Sequence, residues 1–242
     1  MSVLSLDRVG KNFGGFVAVD EVSFEVSQGE MRGLIGSNGA GKSTLLHLIY
    51  GRLDATAGTI VFDGTNVTQM AASERARRGM GLVFQITSVF PELTVEENLY
   101  LGALPKEAGK RNAGNLDEVE SVLEQIGLTD IRRRNAAHLS HGQQQWLEIG
   151  MVLLTQPKLL LLDEPTSGMT EAESRRTAAL LRDLRDARAT QAMIVVEHNI
   201  EFMRLVSDRV TVMHRGAVLA DGSIDDVQAS REVQDAYLGR LH

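Results

Sequence analysis

Cysteine is absent from this chain of 242 residues. Its absence excludes disulfides, thiolate metal ligands and cysteine nucleophiles, so any bound metal must be held by oxygen or nitrogen atoms. No apolar run is long enough to cross a bilayer as a helix. The first residues, MSVLSLDRVGKNF, contain neither the basic segment nor the apolar segment of a secretory leader, so we expect the chain to be cytoplasmic.

An excess of basic residues is also missing. The formal net charge is −7, which argues against a protein that works by coating nucleic acid or anionic lipid. The basic clusters at 75–78 and 132–134 are short and have acidic neighbours, so we predict that both are solvated faces. The hydrophobic content of 43% is enough for the core of one large α/β domain or of two small ones.

Two patterns of apolar residues divide the chain. Before residue 30, alternating residues and a turn at Gly14 and Gly15 predict short antiparallel strands. After residue 157, continuous apolar strands alternate with amphipathic helices, which predicts a parallel sheet covered on both faces, and two short helices end the chain. A helical pattern at 92–138, with a polar loop at 105–115, interrupts this core. One helical face there should carry Leu116, Val119, Val122, Leu123 and Ile126.

A glycine-rich segment, GSNGAGKST at 36–44, follows the apolar strand MRGLI and precedes a helical run that Gly51 should close. It matches the pattern Gly-x4-Gly-Lys-Ser/Thr, whose backbone amides converge on phosphate oxygens at a helix N-terminus. In this pattern Lys42 reaches the β- and γ-phosphates and Ser43 can ligate Mg²⁺. We therefore predict a nucleoside triphosphate site rather than a plain turn.

A pair of carboxylates ends the apolar strand in LLLLDEP at 159–165. The carboxyl ends of parallel strands are where ligands of open α/β sheets bind. Asp163 would hold Mg²⁺ through water, as the corresponding carboxylate does in P-loop ATPases. Glu164 points elsewhere and is free to act as the base on the attacking water.

The stretch LSHGQQQWLEIG at 139–150 places a small polar cluster directly before an apolar helix. Ser140 can be an ordinary helix cap, because its hydroxyl can accept from amides of the first turn. A cap does not explain Gly142, since glycine is a poor helix former. The local pattern leaves the purpose of this cluster open.

The phosphate loop, LSHGQ and LLLLDEP occur in the order found in ATP-binding cassette (ABC) ATPases, and the chain resembles that family over essentially its whole length. Gln85 in LVFQ resembles the Q-loop glutamine, His198 in VVEHN the switch histidine, and Phe13 in KNFGG the aromatic that stacks on adenine. The resemblance implies an α/β fold: a P-loop NTPase core with a mixed sheet, an N-terminal antiparallel β arm and an inserted helical subdomain. It implies a single domain over 1–242 with the insert at about 86–155.

The resemblance also implies a set of functional residues. In this family two cassettes face head to tail, and the signature of one closes on the γ-phosphate held by the other. Catalysis would involve Lys42, Gln85, Glu164 and His198. Mg²⁺ would be held by Ser43, Gln85 and Asp163. ATP would be bound by Phe13, Ser37, Asn38, Gly39, Ala40, Gly41, Lys42, Ser43 and Thr44, and from across the dimer by Ser140, His141, Gly142 and Gln143.

The segments FGGFVAVDEVSF, SVFPELTVEENLYLG and LSHGQQQWLEIGM are similar to the importer cassettes for branched-chain amino acids, and among them to the urea and short-amide branch. The implied partners are a second cassette, identical or paralogous, membrane permease subunits docking along residues 86–100, and indirectly a solute-binding protein, but no nucleic acid. The cassette would be peripheral on the inner face of the membrane. His141 replaces the usual first signature glycine, and Thr170 stands where many cassettes carry aspartate.

Other functions need sequence features that this chain lacks. A GTPase would need an Asn-Lys-x-Asp segment, which does not occur, and the zinc-bearing DNA-repair cassettes need cysteine. Translation-factor cassettes usually carry two phosphate loops, whereas one occurs here. A regulatory ATPase acting on nucleic acid or on another protein remains the alternative, because only analogy favours import.

Overall fold

A computed structural model describes residues 2–85, 87–104, 115–187 and 191–238. The strands are β1 (Ser2–Phe13), β2 (Phe16–Ser27), β3 (Met31–Gly36), β4 (Ala57–Phe62), β5 (Thr65–Asn66), β6 (Met80–Val83), β7 (Leu159–Asp163), β8 (Ala192–Val196), β9 (Arg209–His214) and β10 (Ala217–Gly222). The helices are α1 (Lys42–Tyr50), α2 (Ala72–Arg77), α3 (Val95–Gly102), α4 (Asn115–Gln125), α5 (His141–Leu153), α6 (Glu171–Ala187), α7 (Ile200–Val206), α8 (Ile224–Ala229) and α9 (Arg231–Leu238).

An antiparallel sheet of order β2-β1-β4-β5 forms the N-terminal arm. Gly14 and Gly15 form its first turn with φ values of 56° and 105°, a region that favours glycine. The predicted turn is therefore confirmed, but the strands beside it are not short: β1 and β2 each have 12 residues. The pairing of β1 with β2 shifts register at several points, and these shifts interrupt the alternation of apolar and polar residues. The interrupted alternation predicted short strands, although the strands continue through the shifts.

The central sheet has the order β10-β9-β3-β8-β7-β6, in which β10 is antiparallel to its neighbour and the other pairs are parallel. Both of its faces are buried. In β7, Leu159 and Leu161 pack with the arm, whereas Leu160 and Leu162 pack with the helices on the opposite face. Burial on both faces explains why these strands read as continuous apolar runs.

Helices α3, α4 and α5 lie between β6 and β7 in the chain. In α4 the residues Val119, Val122 and Leu123 are buried as expected, and so is Ile126 just beyond its end. Leu116 was expected on the same face but is 61% exposed, because it lies in the first turn, which its described neighbours do not cover. The polar loop predicted at 105–115 lies outside the described residues except for Asn115.

The elements that were not predicted include the short helix α2, the two-residue strand β5 and the edge strand β10. The basic cluster at 75–78 begins in α2, and its prediction as a wholly solvated face was wrong. Arg75 is buried and donates to the carbonyl oxygens of Leu48 and Ile49 at 2.7 Å each. The guanidinium satisfies carbonyls at the end of α1, where a cation is favoured by the helix dipole.

Within the described part of the chain, no helix combines the length and the apolar character needed to cross a membrane.

Candidate functional site

The glycine-rich loop joins β3 to α1. Gly39 and Gly41 have φ values of 79° and 100°, and a Cβ on Gly41 would lie 2.4 Å from the carbonyl oxygen of Ala18. Glycine is therefore required at Gly41 by both conformation and space. No side chain caps the N-terminus of α1, so the helix presents amides of its first turn toward the loop. Such amides are suited to bind phosphate oxygens.

Lys42 is buried in this loop, and its Nζ donates to the carbonyl oxygens of Gly36 at 2.8 Å and Ser37 at 3.2 Å. Burial lowers the pKa of Lys42, and the nearby carboxylates of Glu164 and Asp163 partly offset that effect. The ammonium group is thus held against the loop that should receive the phosphates.

The Ser43 hydroxyl donates to Oδ1 of Asp163 at 3.1 Å. Asp163 is buried, and that burial raises the pKa of its carboxyl group although the hydrogen bond from Ser43 opposes the shift. Hydroxyl and carboxylate oxygens are the ligands that Mg²⁺ prefers, so the donor set fits this ion. No group of three or more histidine, aspartate or glutamate side chains that could hold a metal occurs among residues 2–85, 87–104, 115–187 and 191–238. A magnesium ion here would therefore complete its coordination with water and with phosphate oxygens of the nucleotide.

Glu164 begins the loop after β7 with a φ of 48°. A positive φ is uncommon for a residue with a side chain and is found where neighbouring contacts fix the backbone. Its amide donates to the carbonyl oxygen of Val196, and its Oε2 accepts from Nε2 of Gln85 at 2.9 Å. The structure therefore brings Gln85 and Glu164 together at the ends of adjacent strands.

His198 follows β8 with an exposed side chain, and its Nδ1 lies 3.7 Å from Oε2 of Glu197. The role of Glu197 was not predicted from the sequence. It is fully buried and accepts hydrogen bonds from the amide and the hydroxyl of Thr166, two residues after Glu164. The amide of His198 also donates to Glu197 at 3.3 Å. One buried carboxylate thus joins the loops after β7 and β8. The sequence feature that could have indicated this role is an acidic residue directly after an apolar strand.

A cleft of about 680 Å³ lies beside these residues, although Asp163 and Glu197 are not part of its described lining. Its described lining consists of residues 36–44 together with Gln85, Glu164, His198 and Ala236. Phe13 does not line this cleft; its ring is 46% exposed at the arm hairpin, with Nζ of Lys11 5.0 Å from the ring centroid. None of the signature residues at 140–143 lines the cleft either.

The signature segment begins α5 as a capping box. The Ser140 hydroxyl accepts from the amide of Gln143 at 3.3 Å, and the Gln143 side chain accepts from the amide of Ser140 at 3.0 Å. Gly142 is buried, and a Cβ there would lie 3.0 Å from Oε1 of Glu173. A Cβ on Gly168 would lie 3.5 Å from Cδ2 of His141. The cap is therefore real, and the glycine permits close approach of α6.

Two further residues of α5 hold the segment before Gln85. The Gln145 side chain donates to the carbonyl oxygen of Phe84 at 3.3 Å, and Glu148 accepts from the Phe84 amide at 3.5 Å. Both side chains are buried. Burial raises the pKa of Glu148 to about 7. Neither residue was predicted from the sequence, because polar side chains in a helix usually face solvent.

A family model described as ABC transporter matches residues 19–167. The chain belongs to the ABC transporter family. LivG of Salmonella typhimurium, a high-affinity branched-chain amino acid transport ATP-binding protein, is 34% identical to this ABC cassette over 250 residues and is covered to 98%, as is the chain. The cassette is an ATPase whose hydrolysis is coupled to transport.

Solved structures agree with the ABC assignment. MJ1267, an ATP-binding cassette of an ABC transporter, superimposes in its ADP conformation with a TM-score of 0.87 at 30% identity and 99% coverage of both chains. MJ0796, an ATP-binding cassette in a dimeric post-hydrolysis state bound to ADP and Pi, gives a TM-score of 0.80 at 26% identity, covering 91% of this chain and 98% of that one. The predicted fold, a P-loop core with mixed sheet, β arm and inserted helices, is confirmed.

Proposed function

We propose that this ABC ATPase drives the import of branched-chain amino acids or of urea and short amides. The observation that carries the proposal is the convergence of the phosphate loop, Gln85, Glu164 and His198 on one cleft, in a chain similar to LivG over its whole length. The similarity to LivG favours branched-chain amino acids. The replacement of the first signature glycine by His141 favours the urea branch.

The chain's own residues account for hydrolysis. The loop amides and Lys42 bind the phosphates. Ser43, Asp163 and Gln85 would hold Mg²⁺, which would neutralise phosphate charge when bound. Glu164 takes a proton from the attacking water, because it is the carboxylate in the cleft that does not contact Ser43. His198 contributes a donor near the γ-phosphate, and buried Glu197 holds its backbone in place.

The signature acts in trans in this proposal. Ser140, His141, Gly142 and Gln143 form a helix N-terminus that lies outside the cleft of their own chain. A second cassette, identical or paralogous, would place that N-terminus on the γ-phosphate, where the helix dipole favours an anion. Phe13, on the exposed hairpin, would stack on adenine. ATP binding would thereby close a dimer, a two-state element that can drive a partner.

We propose that residues 1–242 form one ABC domain and that residues 86–155 form its helical subdomain. Within that span, Phe90 and Leu101 are exposed apolar residues beside the segment that Gln85 begins. Residues 86–100 would dock the permease, so that the cassette lies on the inner face of the membrane. A solute-binding protein would deliver the solute from the other side, and no nucleic acid takes part.

The test is affinity purification of the tagged cassette from its native membranes, followed by identification of its partners and an uptake assay. We expect multi-span permease subunits, and uptake of labelled leucine or urea that a Lys42→Ala variant abolishes. Uptake of leucine alone would assign the branched-chain amino acids, and uptake of urea alone the short amides. Co-purification of RNA or of a soluble protein without a permease would instead favour the regulatory ATPase.

A further inference from the structure

A carboxylate lies beside the signature serine. The Ser140 hydroxyl lies 3.4 Å from Oε1 of Glu173, which belongs to the first turn of α6. The same oxygen lies 3.0 Å from the position of a Cβ on Gly142. The serine's one donor hydrogen is therefore directed at an acidic group of its own chain, while its lone pair accepts from the amide of Gln143.

Thr170 fixes this carboxylate in place. The amide of Thr170 donates to Oε2 of Glu173 at 3.0 Å and its hydroxyl at 2.8 Å, while the Glu173 amide donates back to the hydroxyl at 3.3 Å. The hydrogen bond from the Thr170 amide, with that from its hydroxyl, holds the pKa of Glu173 below its usual range. Glu173 is thus ionised at neutral pH, and one oxygen remains for Ser140.

We propose that Glu173 is a positioning residue that engages Ser140 in the open cassette and competes there with the γ-phosphate of the partner's nucleotide. The inference rests on the trans arrangement under the proposed function. Ser140 must release Glu173 when the dimer closes, because a hydroxyl can donate only one hydrogen bond. The signature is therefore ordered in the open cassette, but its serine hydroxyl stays bonded to Glu173 of the same chain until the partner's ATP displaces that carboxylate.

Charge gives this competition a direction. A carboxylate and a phosphate that share one serine are like charges a few ångströms apart. For unit charges about 5 Å apart in water, Coulomb's law gives a repulsion that weakens the binding constant by a factor of about four. A symmetric closed dimer contains two such pairs. Removing the charge of Glu173 without changing its shape should therefore strengthen ATP-driven closure rather than weaken it.

The experiment measures ATP-dependent dimerisation by analytical ultracentrifugation in a Glu164→Gln background, which should slow hydrolysis. Glu173→Gln removes the charge and can preserve the reciprocal hydrogen bonds with Thr170, since glutamine serves at this position of a capping box as well as glutamate. Glu171→Gln is the matched control: it removes the same charge from the same turn, but Glu171 is exposed and pairs with Arg175. Melting temperatures with ADP establish that both variants fold.

We expect Glu173→Gln to lower the dimer dissociation constant about fivefold or more with ATP, and Glu171→Gln to leave it within about twofold of the parent. Weaker or unchanged dimerisation of Glu173→Gln would overturn the inference, as would equal strengthening by both variants. If the parent itself does not dimerise with ATP, the trans arrangement between two identical chains fails, and the inference about Glu173 fails with it. A parent that dimerises normally confines the failure to Glu173.

Discussion

Nε2 of Gln85 lies 2.9 Å from Oε2 of Glu164. Gln85 follows β6 and Glu164 follows β7, and these strands are parallel neighbours. The contact therefore joins the segment that leads into α3–α5 to the proposed base. A movement of that segment can reach the base through one hydrogen bond. A permease docked along residues 86–100, as we propose, would therefore have a short route to the chemistry.

Glu164→Gln should keep ATP binding while the hydrolysis rate falls by about 10² or more, because general-base catalysis contributes that much. The amide retains the size of the carboxylate but cannot take a proton. Steady-state ATPase assays and nucleotide binding by fluorescence would measure the two effects, with Glu171→Gln as a control of equal charge change. A Glu164→Gln enzyme that turns over near the wild-type rate would remove Glu164 from the role.

Glu148→Gln should stabilise the protein more at pH 8 than at pH 5. Burial raises the pKa of Glu148 to about 7 from its ordinary value of 4.5, so the folded state binds the proton more tightly than the unfolded chain does. Stability is then lost as the pH rises from about 4.5 to 7, by a total of about 3 kcal/mol. Glutamine removes this loss because it does not ionise.

Thermal unfolding of the wild type and Glu148→Gln at the two pH values checks this prediction. Glu124→Gln, on the exposed side of α4, is the control. A difference in melting temperature that is the same at pH 5 and pH 8 would contradict a proton held at Glu148.

Arg75→Met should lower the free energy of unfolding by about 3 kcal/mol or more, since it leaves buried carbonyl oxygens without donors. Besides the end of α1, Arg75 donates to the carbonyl oxygens of Met70 at 2.9 Å and Thr68 at 3.0 Å. Arg77→Met is the control, because Arg77 is exposed in the same helix. Equal urea-unfolding free energies for the two variants would show that the burial of Arg75 contributes little.

The phosphate loop, Asp163 and the helix cap at Ser140 could be predicted from sequence because each depends on residues close together in the chain. Gly41 is required by the local backbone and by one contact, and Ser140 by an amide three residues away. The parallel strands could also be predicted, because a strand that is buried on both faces is a continuous apolar run in the sequence.

Arg75, Glu148 and Glu197 could not be predicted, because a buried charge is recognised by its distant partners. Arg75 is 27 residues from Leu48, and Glu148 is 64 residues from Phe84. Charged side chains are mostly exposed in folded proteins, so sequence alone predicts that each of these residues faces solvent. The same reason hid Glu173, whose contact with Ser140 spans 33 residues.

The central claim is that the signature of one cassette completes the site of another, and mixing two defective chains tests it most directly. Ser140→Ala should leave ATP affinity nearly intact but abolish most hydrolysis, because the phosphate loop of its own chain is untouched. Lys42→Ala should lose ATP binding but keep a functional signature. Mixing them pairs the intact loop of the first with the intact signature of the second, so we predict partial recovery of ATPase activity. Inactive mixtures in which the mixed dimer is demonstrated would contradict the account.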